Sequence, residues 1–228
     1  MYLSELKYLN CLNILRNITR MAQQNNATIC ELKGKCNVWV DEILKGDLTL
    51  TKHGSISYLL YGEKPSEQSI SIKLGHLGEY ISKELIKTKN ELELLHCGVQ
   101  KINNKKKDVD LIFKNIKTKT IYYRELKGNI ELDTEKLPAT IDKCKEIESS
   151  LKTTYPDYVI NFGILNWSVY NREILSAGLS HIKTFEKGGV KVDHMSDFLE
   201  VINIVWSEDD FYAYFREIGT KIRNHFDK

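Results

Sequence analysis

The chain has 228 residues, of which 42% are hydrophobic and 28% charged, and its formal net charge is +2. These values are typical of a globular domain with a hydrophobic core, and they exclude a disordered, collagen-like or coiled-coil chain. No run of residues approaches the ~18–20 consecutive apolar positions of a membrane span, and residues 1–10 lack the pattern of a secretory signal. We therefore expect a cytoplasmic protein with no membrane partner.

The hydrophobic pattern of the first part of the chain predicts helices. Residues 1–47 have apolar positions at near-helical spacing, and Gly46 suits the C-terminus of a helix. The polar stretch Glu63 to Ser69 predicts a loop. From Ile72 to Lys87 the apolar positions are three and four residues apart, which predicts an amphipathic helix.

The rest of the chain alternates strand and helix patterns. Asp110 to Phe113 and Ile121 to Lys127 are rich in β-branched and aromatic residues on either side of a polar connection, which predicts a β-hairpin. The further predicted elements are a helix that begins between Asp133 and Pro138, a strand Tyr158 to Leu165, a helix Ser196 to Ile204 capped by Ser196, and a helix Phe211 to Phe226.

This order of elements predicts an α/β fold with a central mixed sheet of four or five strands flanked by helices. The chain has no repeat and no Gly/Ser linker, so we expect a single domain. We divide it into an N-terminal helical region (1–62), a core (63–170) and a C-terminal region (171–228).

Basic residues are concentrated in one segment. Residues 101–127 contain nine basic and three acidic side chains, so the segment carries +6 and the rest of the chain −4. Such a cluster can attract nucleic acid, because each neutralised phosphate releases a counterion. The alternative is a lysine-rich hairpin that is only solvated.

Three ionisable side chains of the predicted hairpin are expected to converge. Alternation along a strand places Glu125 and Lys127 on one face and Leu126 on the other. Antiparallel pairing brings Asp110, at the start of one strand, beside the end of the other. Two carboxylates and a lysine suit Mg²⁺-assisted phosphodiester hydrolysis, because Mg²⁺ prefers one or two carboxylates together with water and phosphate oxygens. The alternative is an ordinary exposed cross-strand ion pair.

A second copy of the same string tests how specific this pattern is. Glu31-Leu32-Lys33-Gly34 follows no β-rich run and has no acidic strand start upstream, whereas Glu125-Leu126-Lys127-Gly128 has both. Only the second string is therefore a candidate site.

Asp110 followed by three apolar residues, then Glu125-Leu126-Lys127 at the end of a Tyr-rich strand, resembles the PD-(D/E)xK nuclease superfamily. The string Tyr122 to Lys136 resembles type II restriction endonucleases specifically, and so does Gln68 to Gly75. The resemblance covers about a third of the chain. The proline of the motif is absent, and this leaves Asp108 as an alternative to Asp110.

The resemblance implies a restriction-endonuclease-like core and a Mg²⁺-dependent enzyme that cuts both strands of a short double-stranded DNA sequence and leaves 5′-phosphate ends. It implies Asp110 and Glu125 as metal ligands, often joined by the Leu126 carbonyl. Lys127 would assist the nucleophilic water. Glu79 would be a further acid beside the metal, although a solvated helix residue is an equal alternative. A homodimer is expected, with a cognate DNA methyltransferase in the same system but not bound.

Polar residues after the second strand are candidates for DNA contacts. Those for phosphates are Asn129, Thr134, Lys136 and Lys143, each of which is equally consistent with plain surface. The segment Asn166 to Arg172 is a candidate for base contacts, with Trp167 as a packing residue. Two other functions stay open: a structure-selective repair or junction-resolving nuclease on the same core, and a non-catalytic DNA-binding module.

Overall fold

The computed structural model describes residues 2–46, 49–128, 135–171 and 189–226. The helices, in chain order, are α1 (Tyr2–Lys45), α2 (Ile56–Tyr61), α3 (Glu67–Lys87), α4 (Leu137–Thr154), α5 (Met195–Val201) and α6 (Glu208–Phe226). The strands are β1 (Leu92–Leu94), β2 (Gly98–Ile102), β3 (Lys105–Val109), β4 (Leu111–Asn115), β5 (Thr120–Lys127), β6 (Val159–Asn166) and β7 (Lys191–His194).

The centre of the fold is a five-stranded mixed sheet with the order β1-β4-β5-β6-β7. The pairs β1–β4 and β4–β5 are antiparallel, whereas β5–β6 and β6–β7 are parallel, with α4 crossing between β5 and β6. The predicted mixed α/β fold, with four or five strands flanked by helices, is confirmed. Its fifth strand, β7, comes from the C-terminal region, so the sheet extends beyond the predicted core 63–170.

Different helices cover the two faces of the sheet, because alternate residues of each strand point to opposite sides. Leu126 of β5 and Phe113 of β4 pack with α1, α3, α5 and α6 on one face. Tyr123 of β5 packs with Cys144 and Ile147 of α4 on the other face. The side chains of the predicted site belong to the α4 face.

Helix α3 begins earlier than predicted, because Ser66 caps it. The Ser66 Oγ accepts a hydrogen bond from the Ser69 backbone N–H at 3.1 Å, so the predicted loop ends before Glu67. The Trp167 indole, at the end of β6, packs directly on this helix at Gly78, where a Cβ atom would lie 2.4 Å from the ring. This contact fixes α3 against the edge of the sheet that carries the candidate site.

Helix α1 is the longest element, with 44 residues. It ends at Lys45, as predicted, and the Gly46 N–H donates to the Ile43 carbonyl at 3.1 Å. Among the residues described, no helix, α1 included, combines the length and the apolarity needed to cross a membrane.

The C-terminal helices begin earlier than predicted, and α5 also ends earlier, at Val201 and not at Ile204. Helix α5 begins at Met195 after His194, so the predicted cap Ser196 lies inside the helix. The Asp197 carboxylate accepts from the His194 N–H at 2.8 Å and supplies the cap from within the first turn. The predicted apolar stripe of α6 is confirmed, since Phe211 and Ile218 are buried in the core that α6 shares with α1.

Strands β1 and β2 pair with β4 and β3 to form one long two-stranded ribbon, and of these four strands the sequence pattern predicts only β4. Leu94 faces Phe113 and Gly98 faces Val109 in the same register, so no residue is inserted where the ribbon leaves the central sheet. The ribbon turns at residues 103–104, two asparagines with positive φ angles of 48° and 64°, as in a type I′ turn.

Candidate active site

Asp110 lies at the point where the ribbon leaves the sheet, between β3 and β4. Its Oδ2 accepts a hydrogen bond of 2.7 Å from the backbone N–H of Leu126, just beyond the last β4–β5 pair. The Asp110 side chain is 14% exposed. Asp108, the alternative left open by the sequence, is exposed on β3. The structure therefore places Asp110 beside the end of β5.

Glu125 and Lys127 lie on the same face of β5, as predicted. The Lys127 Nζ donates to Glu125 Oε1 at 3.0 Å. The Leu126 side chain points to the opposite face and is buried. The Glu125 side chain is only 4% exposed, and the Tyr123 hydroxyl donates to its Oε2 at 3.1 Å. Glu125 is thus a buried carboxylate held in one orientation.

Lys143 of α4 reaches into the same site. Its Nζ lies 2.5 Å from Glu125 Oε2 and 3.8 Å from Asp110 Oδ1, so an ammonium group lies between the two carboxylates. From the sequence, Lys143 is a candidate for DNA phosphate contacts, with plain surface as the alternative. Its position four residues before the buried Ile147 was the available signal that it faces the sheet.

The surroundings of Asp110 disfavour the ionised state of its carboxyl group. Burial, followed by the charge of Glu125, raises the pKa of Asp110 to about 7. The Lys143 ammonium and the Leu126 N–H oppose this increase, and the Glu79 carboxylate adds a smaller increase. Burial and the neighbouring carboxylate charge therefore outweigh the effect of the Lys143 ammonium on the pKa of Asp110.

Glu79 lies on α3 within electrostatic reach of Asp110. Its carboxylate accepts from Lys83 Nζ at 2.9 Å and lies 3.2 Å from His76 Nδ1, both on the same helix. The side chain is half-buried, so it is neither a fully solvated helix residue nor a direct partner of Glu125. Its role beside a metal stays a prediction.

The remaining predicted contacts have mixed outcomes. Asn129, Thr134 and Arg172 lie outside the described residues, and Lys136 is exposed just before α4. Trp167 is a packing residue, as predicted. The interpretation of this segment as a source of base contacts is wrong for Asn166, which is fully buried at the end of β6.

The donor atoms present fit a hard divalent cation. Asp110 Oδ1 and Glu125 Oε2 lie 3.8 Å and 2.5 Å from the same Lys143 Nζ. In a β-strand the carbonyl of a residue leaves on the same side as its N–H, and the Leu126 N–H donates to Asp110, so the Leu126 carbonyl is a further candidate ligand. Within the described residues, no group of three or more His, Cys, Asp and Glu side chains has a metal-binding arrangement. Mg²⁺ commonly takes only one or two carboxylates and completes its shell with water and substrate phosphate.

Four side chains therefore meet at one edge of the sheet, and we call them the carboxylate–lysine cluster: Asp110, Glu125, Lys127 and Lys143. The elements around the cluster follow the order helix α3, strand β4, strand β5 and helix α4.

Comparisons of the chain with protein-family models, with curated proteins and with solved structures found no match.

Proposed function

We propose that the protein is a Mg²⁺-dependent, sequence-specific type II DNA endonuclease with a restriction-endonuclease-like core. One observation carries this proposal. Asp110, at the start of β4, is hydrogen-bonded to the backbone of the strand on which Glu125 and Lys127 share a face. Two carboxylates and an amine in this arrangement suit phosphodiester hydrolysis better than they suit a surface ion-pair network, because Glu125 is buried.

Each residue of the cluster has a distinct task in this proposal. Asp110 and Glu125 would hold the cation together with the Leu126 carbonyl. Mg²⁺, when bound, would lower the pKa of a coordinated water and offset charge on the phosphate oxygens. Lys127, whose side chain is 26% exposed, is within reach of solvent and would orient the attacking water by donating a hydrogen bond.

Lys143 would contribute charge rather than proton transfer. Its ammonium lies against both carboxylates, where it offsets part of their mutual repulsion. It would also attract the scissile phosphate towards the cluster. The predicted contact of Lys143 with a DNA phosphate is therefore kept, and the phosphate is the one that is cleaved.

The remaining features of the proposal come from the superfamily resemblance. Hydrolysis would leave 5′-phosphate and 3′-hydroxyl ends. A two-fold homodimer would cut a palindrome, with one subunit acting on each strand. A cytoplasmic location and a cognate DNA methyltransferase in the same system stay predictions.

Digestion of a long plain duplex in the presence of Mg²⁺ tests the proposal. We expect discrete fragments whose sequenced ends share one short motif and carry 5′-phosphates. Cleavage of branched DNA alone would instead support the junction-resolving nuclease. If Mg²⁺ and Mn²⁺ give neither cleavage nor heat of binding in calorimetry, the protein is a non-catalytic DNA-binding module.

A further inference from the structure

The part of the ribbon formed by β2 and β3 carries a concentrated positive charge next to the candidate site. Residues 98–109 contain four lysines and one aspartate, a net charge of +3. Lys101, Lys105 and Lys106 are exposed and form no ion pair with any residue that the structure describes. Many other described lysines, in contrast, are paired with a carboxylate, as Lys107 is with Glu146 at 2.8 Å.

Two of these lysines oppose each other. Lys101 and Lys106 occupy directly facing positions on β2 and β3. Like charges at facing positions destabilise a strand pair, so this arrangement is unfavourable without a bound anion. A phosphate placed between the two ammonium groups would convert the repulsion into two favourable contacts.

The ribbon holds these lysines at a defined position relative to Asp110. Ile102 and Val109 are buried in the core on the α4 face, and the ion pair between Lys107 and Glu146 ties β3 to α4. Strand β3 leads directly into Asp110. At a rise of ~3.3 Å per strand residue, Lys106 lies about 13 Å along the ribbon from Asp110.

We propose that Lys101, Lys105 and Lys106 bind the phosphate backbone of duplex DNA a few nucleotides from the cleaved bond. This inference rests on the proposed function. Phosphates recur every ~3.4 Å along the axis for each strand, so the distance from Asp110 to Lys106 corresponds to about four nucleotides. These contacts position the duplex and carry no sequence information.

Binding of a labelled duplex, measured by fluorescence anisotropy in EDTA over a range of salt concentrations, tests the inference. We compare the wild type with the double variants K101Q/K106Q and K117Q/K119Q. The second variant is the matched control, because Lys117 and Lys119 are exposed in the β4–β5 turn at the opposite end of the sheet. Both variants remove two positive charges.

We expect K101Q/K106Q to reduce the slope of log K against log salt by about 2, and to weaken binding about 10–100-fold near 0.1 M salt regardless of sequence. The control should keep the wild-type slope within about 0.5. K101Q/K106Q should also melt at or above the wild-type temperature, because it removes a like-charge pair; this readout separates lost binding from misfolding.

Equal slopes for the two variants would overturn the inference and leave the proposed function intact. A wild type that binds no duplex at any salt concentration would refute the proposed function itself. A poly-glutamate probe tests the alternative that the ribbon binds an acidic protein and not DNA. If K101Q/K106Q weakens binding of poly-glutamate but not of the duplex, the ribbon binds an acidic protein and the inference is wrong.

Discussion

The Nζ of Lys143 lies 2.5 Å from Oε2 of Glu125, so a lysine of α4 is paired with a carboxylate of the candidate metal site. The same carboxylate accepts hydrogen bonds from Lys127 at its other oxygen and from the Tyr123 hydroxyl. A divalent cation that binds Asp110 and Glu125 must therefore share or displace the Lys143 ammonium.

Replacing Lys143 with methionine should strengthen divalent cation binding. Without the ammonium, the two carboxylates are less neutralised, so we expect Mg²⁺ or Mn²⁺ to bind about tenfold more tightly in calorimetry, a gain of about 1.4 kcal/mol. The same loss of charge should lower the free energy of unfolding in EDTA by about 1–3 kcal/mol, because a largely buried ion pair is broken.

Lys145→Met is the matched control for this variant. Lys145 lies on the exposed side of α4, two residues further along, and should change neither property beyond about 0.5 kcal/mol. Weaker cation binding by Lys143→Met would show that Lys143 assists the site instead of competing with the cation.

Asp110→Asn should stabilise the protein at high pH in the absence of divalent cations. The pKa of Asp110 is raised from 3.8 to about 7, so between these pH values the folded state keeps a proton that the unfolded chain has lost. The contribution of the Asp110 carboxyl to the free energy of unfolding of the wild type therefore falls as the pH rises from about 4 to about 7. A shift of about three pKa units corresponds to at most about 4 kcal/mol.

Urea denaturation of the wild type and Asp110→Asn at pH 4 and pH 8, both in EDTA, measures this difference. We expect no advantage for the variant near pH 4 and an advantage of about 1–4 kcal/mol at pH 8. A saturating divalent cation should reduce or reverse that advantage, because it binds only the wild-type pair tightly. A variant less stable than the wild type at pH 8 would contradict the raised pKa.

Gly78→Ala should loosen the packing that positions α3. Its new methyl group would lie 2.4 Å from the Trp167 ring, so the indole must move. We expect a loss of about 1–3 kcal/mol in the free energy of unfolding. Gly75→Ala, three residues earlier with nothing within 4 Å, should instead gain up to about 1 kcal/mol from higher helix propensity. Equal changes in the free energy of unfolding for Gly78→Ala and Gly75→Ala would contradict the packing of the Trp167 indole on Gly78.

The elements with strong periodicity were predictable from the sequence. The hairpin of β4 and β5 and the helix α4 follow from apolar alternation and spacing, and the approach of Asp110 to Glu125 follows from hairpin geometry. The string Glu31-Leu32-Lys33-Gly34 lies on α1, where Glu31 pairs with Lys35, so it is part of a helix and does not end a β-strand.

Other features depend on tertiary contacts that local patterns do not encode. Strand β3 has three consecutive lysines and no apolar alternation, so only its pairing with β2 reveals it. Strand β7 buries Asp193, whose carboxylate lies 2.6 Å from the Arg124 guanidinium of β5. Composition alone assigns Arg124 to the basic surface, whereas the structure places it inside the fold.

The cleavage rate of Glu125→Gln tests the central claim most directly. The substitution preserves the size of the side chain but removes the charge that would hold the cation. Glu31→Gln is the matched control, because it makes the same change at an exposed position of the second string, Glu31-Leu32-Lys33-Gly34. In single-turnover digestion of plasmid DNA with Mg²⁺, we expect Glu125→Gln to be slower by about a thousandfold or more and Glu31→Gln to match the wild type. A Glu125→Gln variant that cuts at the wild-type rate would contradict the assignment of the site.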